Sequence, residues 1–404
     1  MRARSAIIAL FLFLIIFVFS FGGCEESDAD CDNDCPETDD DDDNNDDNDD
    51  NDNDNDDDTP TDDDFDDPQV ELTEPIPLLN PDGTLLAQGW ARTPLIQYNP
   101  EYIPKELRYR VKEWDHYTIV TPRFGFAVTI SDISFATFAS YELVDFINDK
   151  VISGVNLMVG SHGGLPLSPL ESAYFQHRDS YMHMLYDNGT RSIEADIEQS
   201  LFGCAFSCDV EMEQAPGDEN PATAAPFSNP RYYFYENKIF GMPASGNVTI
   251  DGRTYQFDPA DSFAVLDWGR GVWPHRTEWH WGFAAGYQNG RFIGFNIGDG
   301  CSDDSLGTAN AQKLGVTVHK LYHVYFDYDV SNLMAPWKVT SDGDKLRATF
   351  TPIYHQKAGL VVIDIGMLLD KMYGTFTGRI TLDDGTEVEF EKLFGFIERS
   401  SQRW

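Results

Sequence analysis

The sequence predicts an all-β protein made of two antiparallel β domains, each a barrel or a sandwich. From residue 68 onward, short runs such as RFIGFNIG and GTFTGRITL alternate or cluster aromatic and β-branched residues, as strands do. Pairs that favour tight hairpins separate these runs. Few long helical patterns compete with them, although we expect a short helix within residues 363–373. The hairpin signals are Asp251-Gly252, Asn289-Gly290, Asp342-Gly343 and Asp384-Gly385.

Residues 1–24 have the features of a secretory signal peptide. Two arginines precede an apolar run that is shorter than the roughly 20 residues needed to cross a bilayer. The ending FGGC resembles the bacterial lipobox, apart from Phe21 where leucine is usual, and implies that Cys24 is lipidated. We therefore predict a lipid-anchored protein of the bacterial cell envelope. Glu25 in place of aspartate favours the outer membrane, and a cleaved signal with an incidental cysteine is the alternative.

Residues 25–67 predict a disordered acidic linker. They contain 26 of the 69 acidic residues of the chain and no lysine or arginine. Such a segment cannot bury a core, and its like charges keep it extended. The run DNDNDNDDD also suggests calcium loops, but it lacks the glycine and the closing glutamate of an EF-hand. Because the formal net charge of the whole chain is −41, nucleic acid is not an expected partner.

A segment rich in proline, glycine and alanine, residues 214–230, interrupts the strand pattern near the middle of the remaining chain. Such composition is typical of a connection between domains. We therefore predict an N-terminal β domain over residues 68–225 and a C-terminal β domain over residues 226–404. Closure into barrels or sandwiches would protect the strand edges without helices.

The cysteines after Cys24 are odd in number, so at least one thiol is unpaired within the chain. Cys204 and Cys208 are the predicted disulfide, on condition that the intervening AFS makes a turn. A zinc site that also uses Cys301 is a weaker alternative, because the spacing is unusual and no histidine is near. We expect no metal and no cofactor.

The segment FAVLDWGRGVWPHRTEWHWGFAAG, residues 263–286, holds four of the eight tryptophans beside groups that can carry protons. Indoles bury large areas, so this segment predicts either a packed core or a lined pocket. In a strand, Trp279 and Trp281 point to one face and His280 to the other. The candidate catalytic residues are Asp267, His275 and His280. The candidate ligand contacts are Trp268, Arg270, Trp273, Trp279, Trp281, Tyr233, Tyr235 and Asn296.

Structural roles compete with these assignments. Asp267 and Arg270 are spaced so that a buried ion pair between them is the favoured alternative. The tyrosines of RYYFY equally suit core packing. His319 and His323 lie in a strand-like run, which argues against a metal site. The sequence GSHG at 160–163 approaches a nucleophile elbow but lacks its first glycine, so a serine hydrolase is not supported.

Several of these motifs together resemble one protein family. GWARTPL, KEWDHY, the run from NPRYYFYENKIFG to WPHRTEWHWG and the closing GRITLDDGTEVEFEKLFGFIE look like the bacterial family called domain of unknown function 2804. The similarity extends from about Gly83 to Trp404. That family resembles, more distantly, the two-domain lipocalin-like proteins that include carotenoid 1,2-hydratase, AttH-like proteins and tocopherol cyclase. The resemblance implies two lipocalin-like, calycin-type domains.

The resemblance also implies a chemistry. Hydration or cyclisation of an isoprenoid double bond needs an acid that protonates carbon and a surface that tolerates the resulting cation, and Asp267 and the indoles are suited to these roles. His275 or His280 would then assist the attack of water. One departure weakens this reading, because Thr308-Ala309-Asn310 stands where a Thr-Glu-Asn signature is expected.

Three function classes follow from these observations. The favoured one is a membrane-anchored, lipocalin-like protein that binds an apolar or amphiphilic ligand, such as a lipid or isoprenoid. The first alternative is a hydratase, cyclase or isomerase acting on such a molecule. The second is a carbohydrate-binding module, because exposed aromatic rings also stack on sugars. A deep apolar cavity would favour the first two classes, and a flat aromatic platform would favour the third.

Overall fold

Antiparallel β-strands make up nearly all of the regular structure in a computed structural model that describes residues 69–163, 165–198, 200, 203–362 and 364–403. The predicted signal peptide, acidic linker and lipid-anchor residue Cys24 lie outside the described residues. Within those ranges, no helix has both the length and the apolar character needed to cross a membrane. The prediction of an all-β antiparallel fold is confirmed.

The first half of the described chain forms most of one large sheet and a separate two-stranded ribbon. In the large sheet the order is β7-β6-β5-β4-β15-β13-β11-β10-β9-β8, with β2, β12 and β14 paired outside this path. The ribbon joins β1 and β3 in parallel. The strands are β1 (Ile76–Pro77), β2 (Gly89–Ala91), β3 (Ile96–Gln97), β4 (Val111–Val120), β5 (Phe124–Asp132), β6 (Ala136–Asp145), β7 (Lys150–Val159), β8 (Ala173–His177), β9 (Ser180–Asp187), β10 (Thr190–Ile197), β11 (Phe206–Glu213), β12 (Ala222–Pro226), β13 (Tyr233–Ile250), β14 (Arg253–Phe257) and β15 (Phe263–Val272).

The second sheet has nine strands in the order β19-β18-β17-β16-β24-β23-β22-β21-β20. Its strands are β16 (Arg276–Gln288), β17 (Arg291–Asp299), β18 (Ala311–Leu314), β19 (Thr317–Lys320), β20 (Val324–Asp327), β21 (Trp337–Ser341), β22 (Leu346–Val362), β23 (Ile365–Thr381) and β24 (Glu387–Arg403). Three short 3₁₀ helices complete the regular structure of the described residues, at Pro100–Tyr102, Lys105–Arg110 and Asp342–Asp344.

The predicted hairpin signals all connect neighbouring antiparallel strands. Asn289-Gly290 joins β16 to β17, and Asp251-Gly252 joins β13 to β14, each as a two-residue loop. Both residues of each pair have positive φ, the conformation that a type I′ turn requires and that asparagine, aspartate and glycine tolerate best. The other two signals lie between β21 and β22 and between β23 and β24. Local turn chemistry therefore fixes the register of these hairpins.

Each sheet encloses its own hydrophobic core, and a third cluster fills the space between them. The first sheet curls until β8 contacts β5 and β7, which encloses the largest core. The second sheet has a core around Phe295, Trp337 and Phe376. Phe263 and Val265 of β15 pack instead against Phe396 and its neighbours in the second sheet. Alternate residues of one strand thus serve two different cores, as the two-residue period of a strand requires.

Two sequence predictions differ from the observed fold. The predicted boundary after residue 225 does not separate the sheets, because β13, β14 and β15 complete the first sheet and the second begins at β16. The predicted short helix within 363–373 is wrong: from Ile365 onward this segment belongs to strand β23. It is hydrogen-bonded to β22 on one side and to β24 on the other, and this pairing overrides local helical preference.

Candidate functional site

A cavity of about 300 Å³ lies between the two sheets. Strands β4, β5, β6, β13 and β15 form one wall, and β16, β17, β23 and β24 form the other. The segment 301–310, which follows β17, contributes a third side. The cavity occupies the part of the interface where charged side chains join the apolar and aromatic residues that pack around Val265 elsewhere.

Aromatic rings form one end of this cavity. Trp114, Phe234 and Trp273 contact one another with ring centroids 4.8–5.5 Å apart, and Trp279 lies 6.1 Å from Trp273. Trp114 fits over β15 because residue 269 is glycine: a Cβ there would lie 2.3 Å from two atoms of the indole. The glycine of the DWG motif therefore creates space for an indole that belongs to another strand.

A buried cluster of opposite charges lies on the first sheet. Glu236 and Lys238 share one face of β13, and Asp267 is the register partner of Lys238 on β15. Lys238 Nζ lies 2.9 Å from Asp267 Oδ1 and 3.2 Å from Glu236 Oε2. All three side chains are less than 15% exposed. They supply both hydrogen-bond donors and acceptors to an otherwise aromatic cavity.

The protonation of this cluster follows from its burial. Burial raises the pKa of Glu236 to about 7; the ammonium of Lys238 lowers it in part, and the charge of Asp267 raises it further. Burial alone would lower the pKa of Lys238, but Asp267 and Glu236 raise it well above its ordinary value. Lys238 is thus a fixed cation, whereas Glu236 exchanges a proton near neutral pH. A carboxyl with that pKa is suited to donate and accept protons.

A second buried ion pair lies on the second sheet. Lys371 Nζ of β23 is 3.3 Å from Glu398 Oε2 of β24, and the Trp279 indole N–H donates to Glu398 Oε1 at 3.3 Å. Glu142 of β6 lines the same part of the cavity, and burial raises its pKa. Trp281 lies close to both ion pairs, with Lys238 Nζ 4.1 Å and Lys371 Nζ 5.5 Å from its ring centroid.

A neutral histidine, a free thiol and an aspartate also line the cavity. His116 is half-buried, and its ring nitrogens bond to the hydroxyls of Thr129 at 2.8 Å and Thr118 at 2.9 Å. Burial, with Lys371 and Lys238, lowers the pKa of His116 to about 3, so the ring is uncharged at neutral pH. Cys301 lines the cavity as a free thiol whose pKa is raised by burial. Burial also raises the pKa of Asp304 to about 6.

Several predicted site residues do line the cavity. Trp273, Trp279, Trp281, Asp267 and Asn296 are among them, and Asn296 Oδ1 accepts the indole N–H of Trp281 at 2.8 Å. His280 borders the cavity, but its ring lies on the opposite face of β16, as the strand period predicts. Nδ1 of that ring is 2.7 Å from Asp299 Oδ1, and Nε2 is 3.0 Å from the Tyr328 hydroxyl.

Other predicted site residues lie elsewhere. Trp268, Arg270, Tyr233 and Tyr235 are buried on the core side of the first sheet. The predicted ion pair between Asp267 and Arg270 is wrong, because residues three apart in a strand point to opposite faces. Arg270 Nη2 instead donates to Asp115 Oδ1 at 2.7 Å.

His275 and the cysteines also depart from the predicted arrangement. His275 does not line the cavity; it lies at the surface, 3.0 Å from Asp364. The predicted disulfide between Cys204 and Cys208 is wrong, because Cys208 is a free, buried thiol within β11. An extended segment keeps cysteines four residues apart too distant for a bond. Within the described part of the chain, no three His, Cys, Asp or Glu side chains converge to hold a metal ion.

Sequence reasoning missed several ionisable residues and one tryptophan that line the cavity. These are Glu236, Lys238, His116, Lys371, Glu398, Glu142 and Trp114. A signal for two of them was present, since Glu236 and Lys238 occupy alternate positions in the otherwise apolar strand YFYENKIF. When one face of a strand is buried and the other carries charged residues, the charged face borders either solvent or a polar cavity. Ala309, the position where the resemblance leads one to expect glutamate, also lines the cavity.

The fold is similar to several solved structures at low sequence identity. An AttH-like protein from Nitrosomonas europaea is 12% identical, with a TM-score of 0.43, and the match covers 72% of this chain and 92% of that one. CghA in complex with Sch210972 is 12% identical, with a TM-score of 0.47 and coverages of 73% and 89%. Kievitone hydratase from Nectria haematococca is 13% identical, with a TM-score of 0.40 and coverages of 72% and 88%.

The sequence comparisons identify the family. No curated protein matches the chain at a significant level. One family model matches residues 69–404, which include both sheets and every cavity residue named above. The chain therefore belongs to the family described as domain of unknown function (DUF2804).

Proposed function

We propose that this protein binds a small molecule with a largely apolar skeleton in the cavity between its two sheets. One observation carries the proposal: an aromatic cavity of about 300 Å³ is lined by buried, ionisable side chains. Ligand pockets typically combine apolar walls with a few polar groups that fix orientation. The cluster of Glu236, Lys238 and Asp267 supplies such groups beside the rings of Trp114 and Trp279.

The depth of the site favours this reading over a carbohydrate-binding module. Trp273 and Trp281 are almost fully buried, at 1% and 6% exposure. Rings that stack on sugars must present an accessible face, whereas these rings face a hollow between two sheets. An apolar or amphiphilic ligand, such as a lipid or isoprenoid, suits such walls better.

The binding proposal is tested with the purified full-length protein. Fatty acids and isoprenoid alcohols are titrated while tryptophan fluorescence is recorded, and material extracted from the protein is identified by mass spectrometry. We expect saturable binding that Trp279→Ala weakens. Tyr174→Ala, which removes an exposed ring far from the cavity, serves as the matched control and should bind normally. Absence of binding to every probe, with no co-purified molecule, would refute the proposal.

A second candidate function is proton-transfer catalysis of the hydratase, cyclase or isomerase type. The observation that favours it is the pKa of Glu236, raised to about 7 inside the cavity. A general acid works best when its pKa is near the working pH. In a hydration, Glu236 would give its proton to one alkene carbon, and water would add its oxygen to the other. The proton that this water releases would return to the Glu236 carboxylate, so that the enzyme is regenerated.

This candidate places the acid role on Glu236 and leaves Asp267 as the partner of Lys238. A cation that forms next to Glu236 would face the Trp114 and Trp279 rings, which stabilise positive charge. The test is incorporation of deuterium from heavy water into a trisubstituted alkene, followed by NMR. Glu236→Gln should abolish it, and the exposed control Glu211→Gln should not. Equal incorporation in wild type and Glu236→Gln would exclude this role.

Membrane anchoring through Cys24 remains part of the proposal. The support is the sequence alone: a signal-like segment ends at a lipobox-like cysteine. Several acyl chains on one cysteine would hold the protein at a membrane of the cell envelope. Palmitate labelling of wild type and Cys24→Ser tests this, with label expected only in the wild type. Equal labelling of the two proteins would reject lipidation at this residue.

A further inference from the structure

Each sheet contributes one buried lysine–carboxylate pair to the cavity, and the two pairs lie on opposite walls. The first wall carries Lys238 with Asp267, 2.9 Å apart, and the second carries Lys371 with Glu398, 3.3 Å apart. The two lysine side chains are only 6% and 4% exposed. A cavity that binds a ligand with a single polar group would need only one such pair.

The side chain of Trp281 lies close to both pairs. Its ring centroid lies 4.1 Å from Lys238 Nζ and 5.5 Å from Lys371 Nζ. The indole N–H is bound to Asn296, so the orientation of the ring is fixed. The two ammonium groups extend from different sheets, and each lies over an aromatic ring that stabilises its charge. Lys238 lies over Trp281, and Lys371 lies over Phe396 with its Nζ 3.9 Å from the ring centroid.

Packing alone does not explain why the cavity contains two buried lysine–carboxylate pairs. A buried ion pair is often no more stabilising than apolar side chains of the same size, because both ions lose their hydration. Both pairs line the same cavity instead of being enclosed in a core. An ammonium offers three donors, so each lysine can bind its carboxylate and still donate to another oxygen.

We propose that the cavity recognises a bifunctional molecule, with two oxygen groups carried on one apolar skeleton. One oxygen contacts Lys238 and Asp267, and the other contacts Lys371 and Glu398. This deepens, and rests on, the proposed binding function. It adds the requirement that the ligand be polar at two separated positions, as in a diol or a hydroxy ketone.

The charges that line the cavity indicate that the two oxygen groups of the ligand are uncharged. Six carboxylates line the cavity, and the lysines or arginines among its lining residues are Lys238 and Lys371. The carboxylates are Glu142, Glu236, Asp267, Asp299, Asp304 and Glu398. A ligand carboxylate would add an anion to an acid-rich site, at a large electrostatic cost in a poorly hydrated space. A ligand hydroxyl can accept a hydrogen bond from the lysine and donate one to the carboxylate of the same pair. Both side chains then have a hydrogen-bond partner in the ligand.

The test compares ligands that differ only at one end. The full-length protein is titrated with hexanediol, octanediol and decanediol, each with hydroxyls at both ends, and with hexanol, octanol and decanol. We expect the best diol to bind about tenfold more tightly than its matched monoalcohol, because one further hydrogen bond to a charged group is gained. Lys371→Met and Lys238→Met should each remove this preference, and the exposed control Lys357→Met should retain it.

The outcomes separate this inference from the proposal on which it rests. Equal affinity for diols and monoalcohols would overturn the bifunctional ligand and leave apolar binding intact. Absence of binding to both series would overturn both. If a single lysine variant fails to fold, the double variant Lys371→Met/Glu398→Leu removes both charges of the pair. A diol preference that survives in this double variant would equally refute the inference.

Discussion

Lys238 and Asp267 face each other directly across neighbouring antiparallel strands, and their charged atoms meet 2.9 Å apart on the cavity side of the first sheet. The same strand that carries Asp267 presents Arg270 to the opposite side, where it binds Asp115. One strand therefore holds two unrelated ion pairs, one at the cavity and one in the core. The pair at the cavity is available to a ligand, and the pair in the core is not.

Removal of the charge at Asp267 should lower the pKa of Glu236. The Asp267 carboxylate raises that pKa by repulsion, and Asp267→Asn removes this contribution while Lys238 remains. NMR titration of the Glu236 side-chain carboxyl checks the direction of the shift. The control is Asp261→Asn, a partly exposed position in the loop that precedes β15. This substitution should leave the titration of Glu236 unchanged. An upward shift in Asp267→Asn would contradict the assigned geometry.

Glu236 should make folding stability depend on pH near neutrality. Its pKa is raised in the folded protein from 4.5 to about 7, so the folded state binds the proton more tightly than the unfolded state. The contribution is fully present below pH 4.5 and is lost as the pH rises through about 7, on the order of 3 kcal/mol in total.

Urea unfolding of wild type and Glu236→Gln across this range checks the prediction. The wild type should lose stability relative to the variant as the pH rises. A constant difference between the two proteins would show that Glu236 has no raised pKa. The comparison with Gln cancels the contributions of titrating groups whose pKa does not depend on Glu236, such as His116.

Arg270→Met should destabilise the protein strongly without acting on the cavity. Arg270 is fully buried and bonds to Asp115 and to three backbone carbonyls, so its loss leaves a buried carboxylate unpaired. We expect a loss of about 3–5 kcal/mol in the free energy of unfolding. The matched control is Arg276→Met, whose side chain is 63% exposed and should change stability little.

A double variant tests whether the lost stability reflects the unpaired charge. Arg270→Met/Asp115→Leu removes both ions, and it should regain part of the stability measured by urea unfolding. A double variant that is even less stable than Arg270→Met would show that the individual contacts of Arg270, and not charge pairing, stabilise this core.

Gly269→Ala should disturb the cavity through Trp114. The added Cβ would lie 2.3 Å from the indole, which must move away from β15. We expect a loss of about 1–3 kcal/mol in stability and a change in tryptophan fluorescence. Gly286→Ala is the control, because its added Cβ meets only the flexible end of Leu393, at 2.9 Å. Equal effects of the two substitutions would argue against a specific role for Trp114.

The sequence predicted the class of fold because its signals are local. Aromatic and β-branched alternation, together with turns such as Asn289-Gly290, depends only on neighbours in the chain. The same local information marked Trp273, Trp279, Trp281 and Asp267 as candidate site residues, and all four line the cavity. It also placed His280 on the face opposite to the two indoles.

The tertiary structure alone decided the partners of these residues. Lys238 reaches Asp267 because β13 and β15 become neighbours in the first sheet, and it reaches the ring of Trp281 because the two sheets face each other. The position of the sheet boundary, after β15 and not after residue 225, likewise follows from long-range strand pairing. A strand pattern reveals which residues share a face, but not what that face will meet. Whether a buried charge pairs with its neighbour in the chain or with a residue from another strand is therefore settled only when the sheets assemble.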